Sequence, residues 1–174
     1  MAGVTSIREP RDEFGNCHDR PDAKLTGITA SNPNPIYVDV SVVHPACDSE
    51  LRTGSARTAR HAAGEREKRK HVHYDALVAA EGGDFMPLVF ESFGAPGKEV
   101  EALLKRLALE ADTQRRSLDG LNGRAAFLRH AYAALSVALQ IGNAEMHLEG
   151  VRYNRDASTG RRSVVRAEAR RRSH

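Results

Sequence analysis

The chain has 174 residues, 40% of them hydrophobic, which is enough apolar material for one domain with a buried core. Lysine and arginine number 26 against 23 aspartates and glutamates, so the net charge of +3 does not identify a partner. No apolar run reaches the roughly 18 residues that span a bilayer, and the N-terminus lacks the apolar core of a signal peptide. With two cysteines, the sequence predicts a soluble intracellular protein, nuclear or cytoplasmic, with reduced thiols and no membrane partner.

Four β-strands are predicted in the first hundred residues. Residues 4–7 are β-prone, residues 23–29 form a second strand, and residues 36–43 have the clearest β pattern. Residues 85–93 form the fourth strand, and Pro87 within it favours an edge position in the sheet or the start of a strand.

The strand at residues 36–43 has two different faces, because side chains alternate along a strand. Ile36, Val38, Val40 and Val42 share one face, and Tyr37, Asp39, Ser41 and Val43 share the other. We expect the aliphatic face to pack in the core. Asp39 should then look toward the less apolar side, where the sheet could form a shallow cleft.

Three helices are predicted. Residues 55–81 are rich in Ala and charged helix formers and end at a Gly-Gly pair, and residues 120–141 form the last helix. Residues 98–111 form an amphipathic helix whose apolar positions are Val100, Leu103, Leu104 and Leu107. The order β-β-β-α-β-α-α predicts an α/β fold, with a mixed sheet of about four strands flanked by helices.

Residues 151–174 differ in composition from the rest of the chain. They contain eight arginines against two acidic residues, which is typical of a solvated tail. We therefore predict a domain at residues 1–150 and a basic, disordered tail at residues 151–174. The tail would attract a polyanion such as DNA, and a frayed terminus with no specific role is the alternative. The expected nucleic-acid contacts are Arg161, Arg162, Arg170, Arg171 and Arg172.

Two aspartates stand beside predicted strands, although Asp is poorly suited to a sheet. If the two strands are neighbours, Asp22 and Asp39 converge, and two close carboxylates repel unless a cation lies between them. Mg²⁺ or Mn²⁺ suits such oxygen ligands, and the backbone carbonyl of Val40 is a further candidate ligand. The alternative for Asp22 is a Pro-Asp turn in which its side chain caps the backbone.

A lysine near such a metal stabilises charge that develops on a phosphate. Lys70 lies four residues before Tyr74, so it should point toward the body of the protein if Tyr74 is buried. Lys68 is the second choice. The alternative is that this basic run forms a solvated helix face.

The remaining candidate ligands are two Cys/His pairs. Cys17-His18 and His44-x-x-Cys47 are residue types that bind zinc, but their spacing is unlike that of zinc sites, and we interpret them as incidental pairs. The chain has no nucleotide-binding or serine-hydrolase motif, so no small-molecule cofactor is expected.

Several segments together resemble one known domain. They are "EPRDEFGNCHDRPD", "YVDVSVVHPA", the helix ending "YDAL", "GGDFMPLVFESFG" and "LSVALQIGNA". Over residues 3–145 the chain resembles the restriction-like endonuclease domain that follows the reverse transcriptase in non-LTR retrotransposon polyproteins. That domain belongs to the PD-(D/E)XK nuclease superfamily.

The resemblance assigns roles to the residues above. It implies that Asp22 is the first metal-binding acid and Asp39 the second. In the superfamily the catalytic lysine often lies two residues after the second acid. In this chain that position is Ser41. The retrotransposon domains draw the lysine from the following helix instead, which implies Lys70 or Lys68.

Glu91 is a further candidate for the same site. On a neighbouring strand it could accept a hydrogen bond from the lysine or join the metal shell. Alternatively it is a strand-end acid that meets Lys98 or a helix start.

The resemblance implies a metal-dependent DNA endonuclease derived from a retrotransposon. The superfamily core usually begins with a helix, whereas this chain starts almost at the first strand, so we expect an N-terminally truncated core. The alternative is a catalytically inactive fragment that binds nucleic acid or has no selected function.

Overall fold

The chain contains both strands and helices. The computed structural model describes residues 5–14, 20–28, 34–113 and 123–171, with side chains except at residues 11–12, 111–113 and 154–171. Its elements are β1 (Thr5–Arg8), α1 (Arg11–Phe14), β2 (Ala23–Thr26), β3 (Ile36–Val43), α2 (Asp48–Thr53), α3 (His61–Ala80), β4 (Asp84–Glu91), α4 (Lys98–Thr113) and α5 (Arg124–Arg171). The α/β class is confirmed. The observed order also contains two short helices, α1 and α2, that were not predicted.

The four strands form one mixed sheet in the order β1-β2-β3-β4. The β1–β2 and β2–β3 pairs are antiparallel, and β4 pairs with β3 in parallel. Pro87 therefore lies on an edge strand, as predicted, where its missing N–H costs no ladder bond. The next segment covers this edge, because the Gly97 amide donates to the Val89 carbonyl (2.8 Å) and the Glu91 amide donates to the Ala95 carbonyl (2.8 Å).

Both faces of the first half of β3 are buried. Val38 packs with Met86 and Leu103 on the α4 side, while Tyr37 packs with Tyr74 and Val78 of α3 on the opposite side. The prediction of a single aliphatic core face was wrong for the second half of the strand, where Val40 and Val42 are 50% and 43% exposed. Helix α4 meets this face at Val38, whereas α3 covers the opposite face, where Asp39 is buried.

The N-terminus of α4 is held by a carboxylate of α3. The buried Glu67 accepts a hydrogen bond through Oε1 from the Glu99 amide (3.1 Å). Burial raises the pKa of Glu67, although this hydrogen bond lowers it in part. The folded protein thus binds this proton more tightly than the unfolded chain does. The contribution of Glu67 to the free energy of unfolding is therefore fully present below the ordinary pKa of 4.5. It declines as the pH rises through the raised pKa of the folded protein.

We expect Glu67→Gln to melt at a higher temperature than wild type at pH 7, because the amide oxygen still accepts the Glu99 bond without a buried charge. The difference should shrink toward pH 4. Glu65→Gln is the matched control on the same helix: Lys68 lowers the pKa of Glu65 through a hydrogen bond, so this variant should not gain stability. Thermal melts followed by circular dichroism measure both, and an equal or lower melting temperature of Glu67→Gln at pH 7 would contradict the assignment.

Helix α5 extends beyond its predicted end. It includes residues 151–171, which the sequence analysis assigned to a disordered tail, because Ala, Arg and Glu are good helix formers. The chain divides into two compact units, Met1–Ala134 and Leu135–His174, so the division falls before the predicted boundary at residue 150. The separate behaviour of the tail stays a prediction. Within the described ranges, no helix has both the length and the apolarity to cross a membrane.

Candidate active site

Asp39 is a buried carboxylate on a central strand. It lies on the face of β3 that α3 covers, two residues after Tyr37, and is 5% exposed. A buried charge is costly unless it is paired. The partner is Lys70 of α3, whose Nζ contacts Asp39 Oδ2. This ion pair explains how the strand tolerates an acid at this position.

Asp22 lies opposite Asp39 on the neighbouring chain segment. In the β2–β3 ladder Ala23 pairs with Val38, and one further step of this antiparallel register places Asp22 against Asp39. The side chain of Asp22 accepts a hydrogen bond from the Val40 amide through Oδ2 (2.7 Å). The expectation that the two strands are neighbours is thus confirmed. The Asp22 side chain accepts from an amide of another strand and not from the backbone that follows it, which differs from the local turn of its alternative role.

Val40 presents its carbonyl to the same side as its amide, because the N–H and C=O of one strand residue point toward the same neighbouring strand. Its amide points at Asp22. The carbonyl therefore faces the Asp22 side of β3, where the sequence placed a third oxygen ligand.

Lys70 points into the protein, as its spacing from Tyr74 predicted. Tyr74 is 6% exposed, and the Lys70 Nζ lies 5.5 Å from the centroid of its ring. The Tyr74 hydroxyl donates to the Arg20 carbonyl (3.5 Å), close in the chain to Asp22. Lys68 is different: its side chain is 74% exposed and pairs with Glu65 at 2.7 Å. The structure thus joins Lys70, and not Lys68, to Asp39.

Glu91 lies outside this group. In the β3–β4 ladder Asp39 pairs with Pro87, and Glu91 pairs with Val43. Glu91 is four residues beyond Pro87, so it lies about 13 Å farther along the strand than the partner of Asp39. Its Oε1 accepts from the Ala63 amide (3.4 Å) in the first turn of α3. A helix start needs such an acceptor, and Arg60 at its N-cap makes no side-chain cap. The prediction that Glu91 meets the lysine or the metal was therefore wrong, and its alternative at a helix start is confirmed.

A second polar network fixes the sheet beside the site. Glu13 of α1 is hydrogen-bonded by Lys24 and by the Tyr37 hydroxyl. Burial raises the pKa of Glu13, but the two hydrogen bonds outweigh it, and the net result is a lowered pKa. This network anchors α1 to β2 and β3, two residues away from Asp22 and Asp39 respectively.

The Cys/His pairs do not form a centre among the described residues. Cys17 and His18 lie outside them, and the His44 Nδ1 is 2.7 Å from the Ser92 Oγ. Within the described ranges, no group of three or more His, Cys, Asp or Glu side chains is arranged to hold a metal.

The predicted nucleic-acid contacts are on α5 or beyond it. Four of them lie in the part of α5 whose side chains the structure does not describe: Arg161, Arg162, Arg170 and Arg171. Arg172 lies outside the described residues. Their role stays a prediction.

Comparisons of the chain with protein-family models, with curated proteins and with solved structures give no match.

Proposed function

We propose that this chain is a metal-dependent DNA endonuclease that hydrolyses phosphodiester bonds and nicks its target. The observation that carries the proposal is the contact between Lys70 and Asp39, with Asp22 opposite them. Asp39 of β3 and Lys70 of α3 are in contact, and Asp22, the residue before β2, is hydrogen-bonded to the Val40 amide next to Asp39. DNA as substrate is supported by the resemblance of the motifs to retrotransposon endonuclease domains.

The acids fit a small hard cation. The Val40 amide engages one oxygen of Asp22, and Lys70 engages one oxygen of Asp39, so each carboxylate keeps a second oxygen. Asp22, Asp39 and the Val40 carbonyl would hold Mg²⁺ or Mn²⁺, since Mg²⁺ is usually bound by one or two carboxylates together with waters and phosphate oxygens. The chemistry that this cation supplies when bound is activation of a water and neutralisation of charge on the phosphate.

Lys70 is the residue that acts on the substrate in this proposal. Its ammonium group has three donors, and contact with Asp39 leaves donors for a phosphate oxygen. The ring of Tyr74 holds the ammonium in place, and at 21% exposure the side chain still reaches solvent. Lys70 therefore stabilises the negative charge that develops on the phosphate, while its contact with Asp39 keeps it oriented.

DNA binding is the other half of the proposal. The arginines in the last part of α5 would neutralise backbone phosphates without reading sequence. The catalytic group and the basic residues then have separate effects: loss of the former reduces cleavage, and loss of the latter reduces affinity.

We expect Lys70→Ala to slow single-turnover nicking of supercoiled plasmid by about 100-fold in Mg²⁺, since removing one donor to developing charge has an effect of this size. DNA affinity should change by only a few-fold. Lys68→Ala removes the same charge two residues away, from an exposed side chain, and should nick like wild type.

Melting curves must accompany this pair of variants, because Lys70→Ala leaves the buried Asp39 without its cation. Lys70→Arg keeps the charge and serves as the second variant. Equal rates for Lys70→Ala and Lys68→Ala would contradict the role of Lys70. Salt-dependent DNA binding by a wild type that never cuts in any divalent metal would instead establish the alternative, an inactive nucleic-acid-binding fragment.

A further inference from the structure

Arg66 differs from the other cations of the basic segment Arg66–Lys70 on α3. Lys68 pairs with Glu65, Arg69 with Glu50 at 3.4 Å, and Lys70 with Asp39. In the part of the chain that the structure describes, Arg66 has no ion pair or hydrogen bond, and its Nε atom is buried. A buried N–H without an acceptor is unfavourable, so this guanidinium lacks a partner that its position calls for.

Helix geometry places Arg66 between two of these pairs. Successive residues turn by about 100° around an α-helix, so Arg66 lies about 40° from Lys70 and about 60° from Arg69, on the arc between them. Lys70 reaches β3 and Arg69 reaches α2. On the other side of the helix, Glu67 meets the start of α4. Arg66 therefore lies on the α2 side of Asp39.

The direction of α3 places Arg66 beside an open stretch of the sheet. Ala63 meets Glu91 at the end of β4, whereas Tyr74 packs on Tyr37 near the start of β3, so α3 runs antiparallel to both strands. Arg66, one turn before Lys70, thus lies toward the second half of β3. There β3 has no β2 partner, because the β2–β3 ladder covers only residues 36–38 of β3.

We propose that Arg66 binds the phosphodiester presented to Asp22, Asp39 and Lys70 through its terminal nitrogens, since its buried Nε is closed to a ligand from solvent. A guanidinium matches two phosphate oxygens in a fork geometry that no neutral side chain reproduces. The proposal rests on the proposed nuclease function. Arg66 holds the phosphate in register with the acids, while Lys70 acts on the charge that develops.

The test compares the full chain with Arg66→Gln, Arg66→Lys and a control, Lys105→Gln. Lys105 is on α4, its side chain is 68% exposed, and its Nζ lies 4.0 Å from Glu101 Oε2. Lys105→Gln therefore removes the same charge as Arg66→Gln at another surface. Binding of a short duplex DNA is measured in EDTA over a range of salt. We expect Arg66→Gln to weaken affinity about tenfold and to reduce the slope of log affinity against log salt by about 1.

Two further readouts separate a phosphate contact from a structural role. The melting temperature of Arg66→Gln should not fall, because no described ion pair or hydrogen bond is lost, and Arg66→Lys should recover part of the affinity by restoring the charge. Single-turnover nicking by Arg66→Gln should also be slower than that of Lys105→Gln. An unchanged salt slope, or a loss of affinity that only accompanies unfolding, would overturn the proposal.

Failure of the two proposals can be told apart. If wild type cuts and Arg66→Gln binds and cuts like Lys105→Gln, the role of Arg66 is rejected and the nuclease stands. If no protein cuts but Arg66→Gln alone loses affinity and salt slope, Arg66 binds phosphate in a protein that is not a nuclease. If wild type does not bind DNA, both proposals are rejected.

Discussion

Asp39→Asn is expected to reduce plasmid nicking in Mg²⁺ or Mn²⁺ by at least about 1000-fold. Asn keeps the shape of the side chain and one oxygen but loses the charge that would hold the cation and Lys70 together. A cation at such a site contributes several kcal/mol to the transition state, and each 1.4 kcal/mol or so is a factor of ten in rate. Wild type should be equally inactive in EDTA.

DNA affinity of this variant should stay within a few-fold of wild type, since binding depends on arginine and lysine contacts to phosphate. The matched control is Asp75→Asn, which removes the same charge from an exposed side chain on α3. If Asp39→Asn and Asp75→Asn nick at the same rate, the catalytic acid lies elsewhere or the activity comes from a contaminant. Gel assays of supercoiled and nicked plasmid measure all of these rates.

Gly83→Ala should lower the free energy of unfolding by about 2–3 kcal/mol, the upper range for overpacking a core. A Cβ on Gly83 would lie 2.4 Å from the Tyr37 ring and 2.9 Å from the Pro35 carbonyl oxygen. Neither neighbour moves easily, because Tyr37 is fully buried and the second atom belongs to the backbone. The melting temperature should fall by about 5–10 °C.

Gly64→Ala is the matched control for this substitution. Gly64 lies inside α3, and an added Cβ meets no atom within 4 Å. Alanine is the better helix former, so this variant should gain about 0.5–1 kcal/mol. Urea unfolding of the two variants measures both changes. Equal stabilities would show that the Tyr37 ring has room to move, and that the packing behind Asp39 is looser than described.

Local patterns in the sequence predicted the best-defined elements. The alternation at Ile36–Val43 and the periodicity that begins at Lys98 each gave the observed element, because the apolar pattern ends at glycine or proline signals. Helix α2 was missed because it is short and lacks apolar periodicity. The start of α3 was predicted too early, since Arg60 adopts a left-handed conformation (φ 60°) that its residue type does not indicate.

The candidate site was predictable in part for a similar reason. Lys70 was placed by its spacing from Tyr74, a relation within one helix, and Asp22 by the adjacency of two strands. Glu91 was misplaced because its distance from Asp39 depends on the register of a parallel pair, which the sequence does not show. Arg66 was missed altogether. Glu50 of α2 pairs with Arg69 and not with Arg66, and this choice could not be foreseen because α2 itself was not predicted.

The parallel pairing of β3 with β4 has a consequence for the order in which the site assembles. Asp22 and Asp39 come together when the antiparallel β2–β3 pair forms, which closes only a short loop. Lys70 belongs to the crossover between β3 and β4, and joining these strands closes a much longer loop at a higher entropic cost. A chain with only the early pairing thus has its two acids together without the lysine. Competence for cleavage, under the proposed function, then arises only when α3 docks, in the same folding step that buries Asp39.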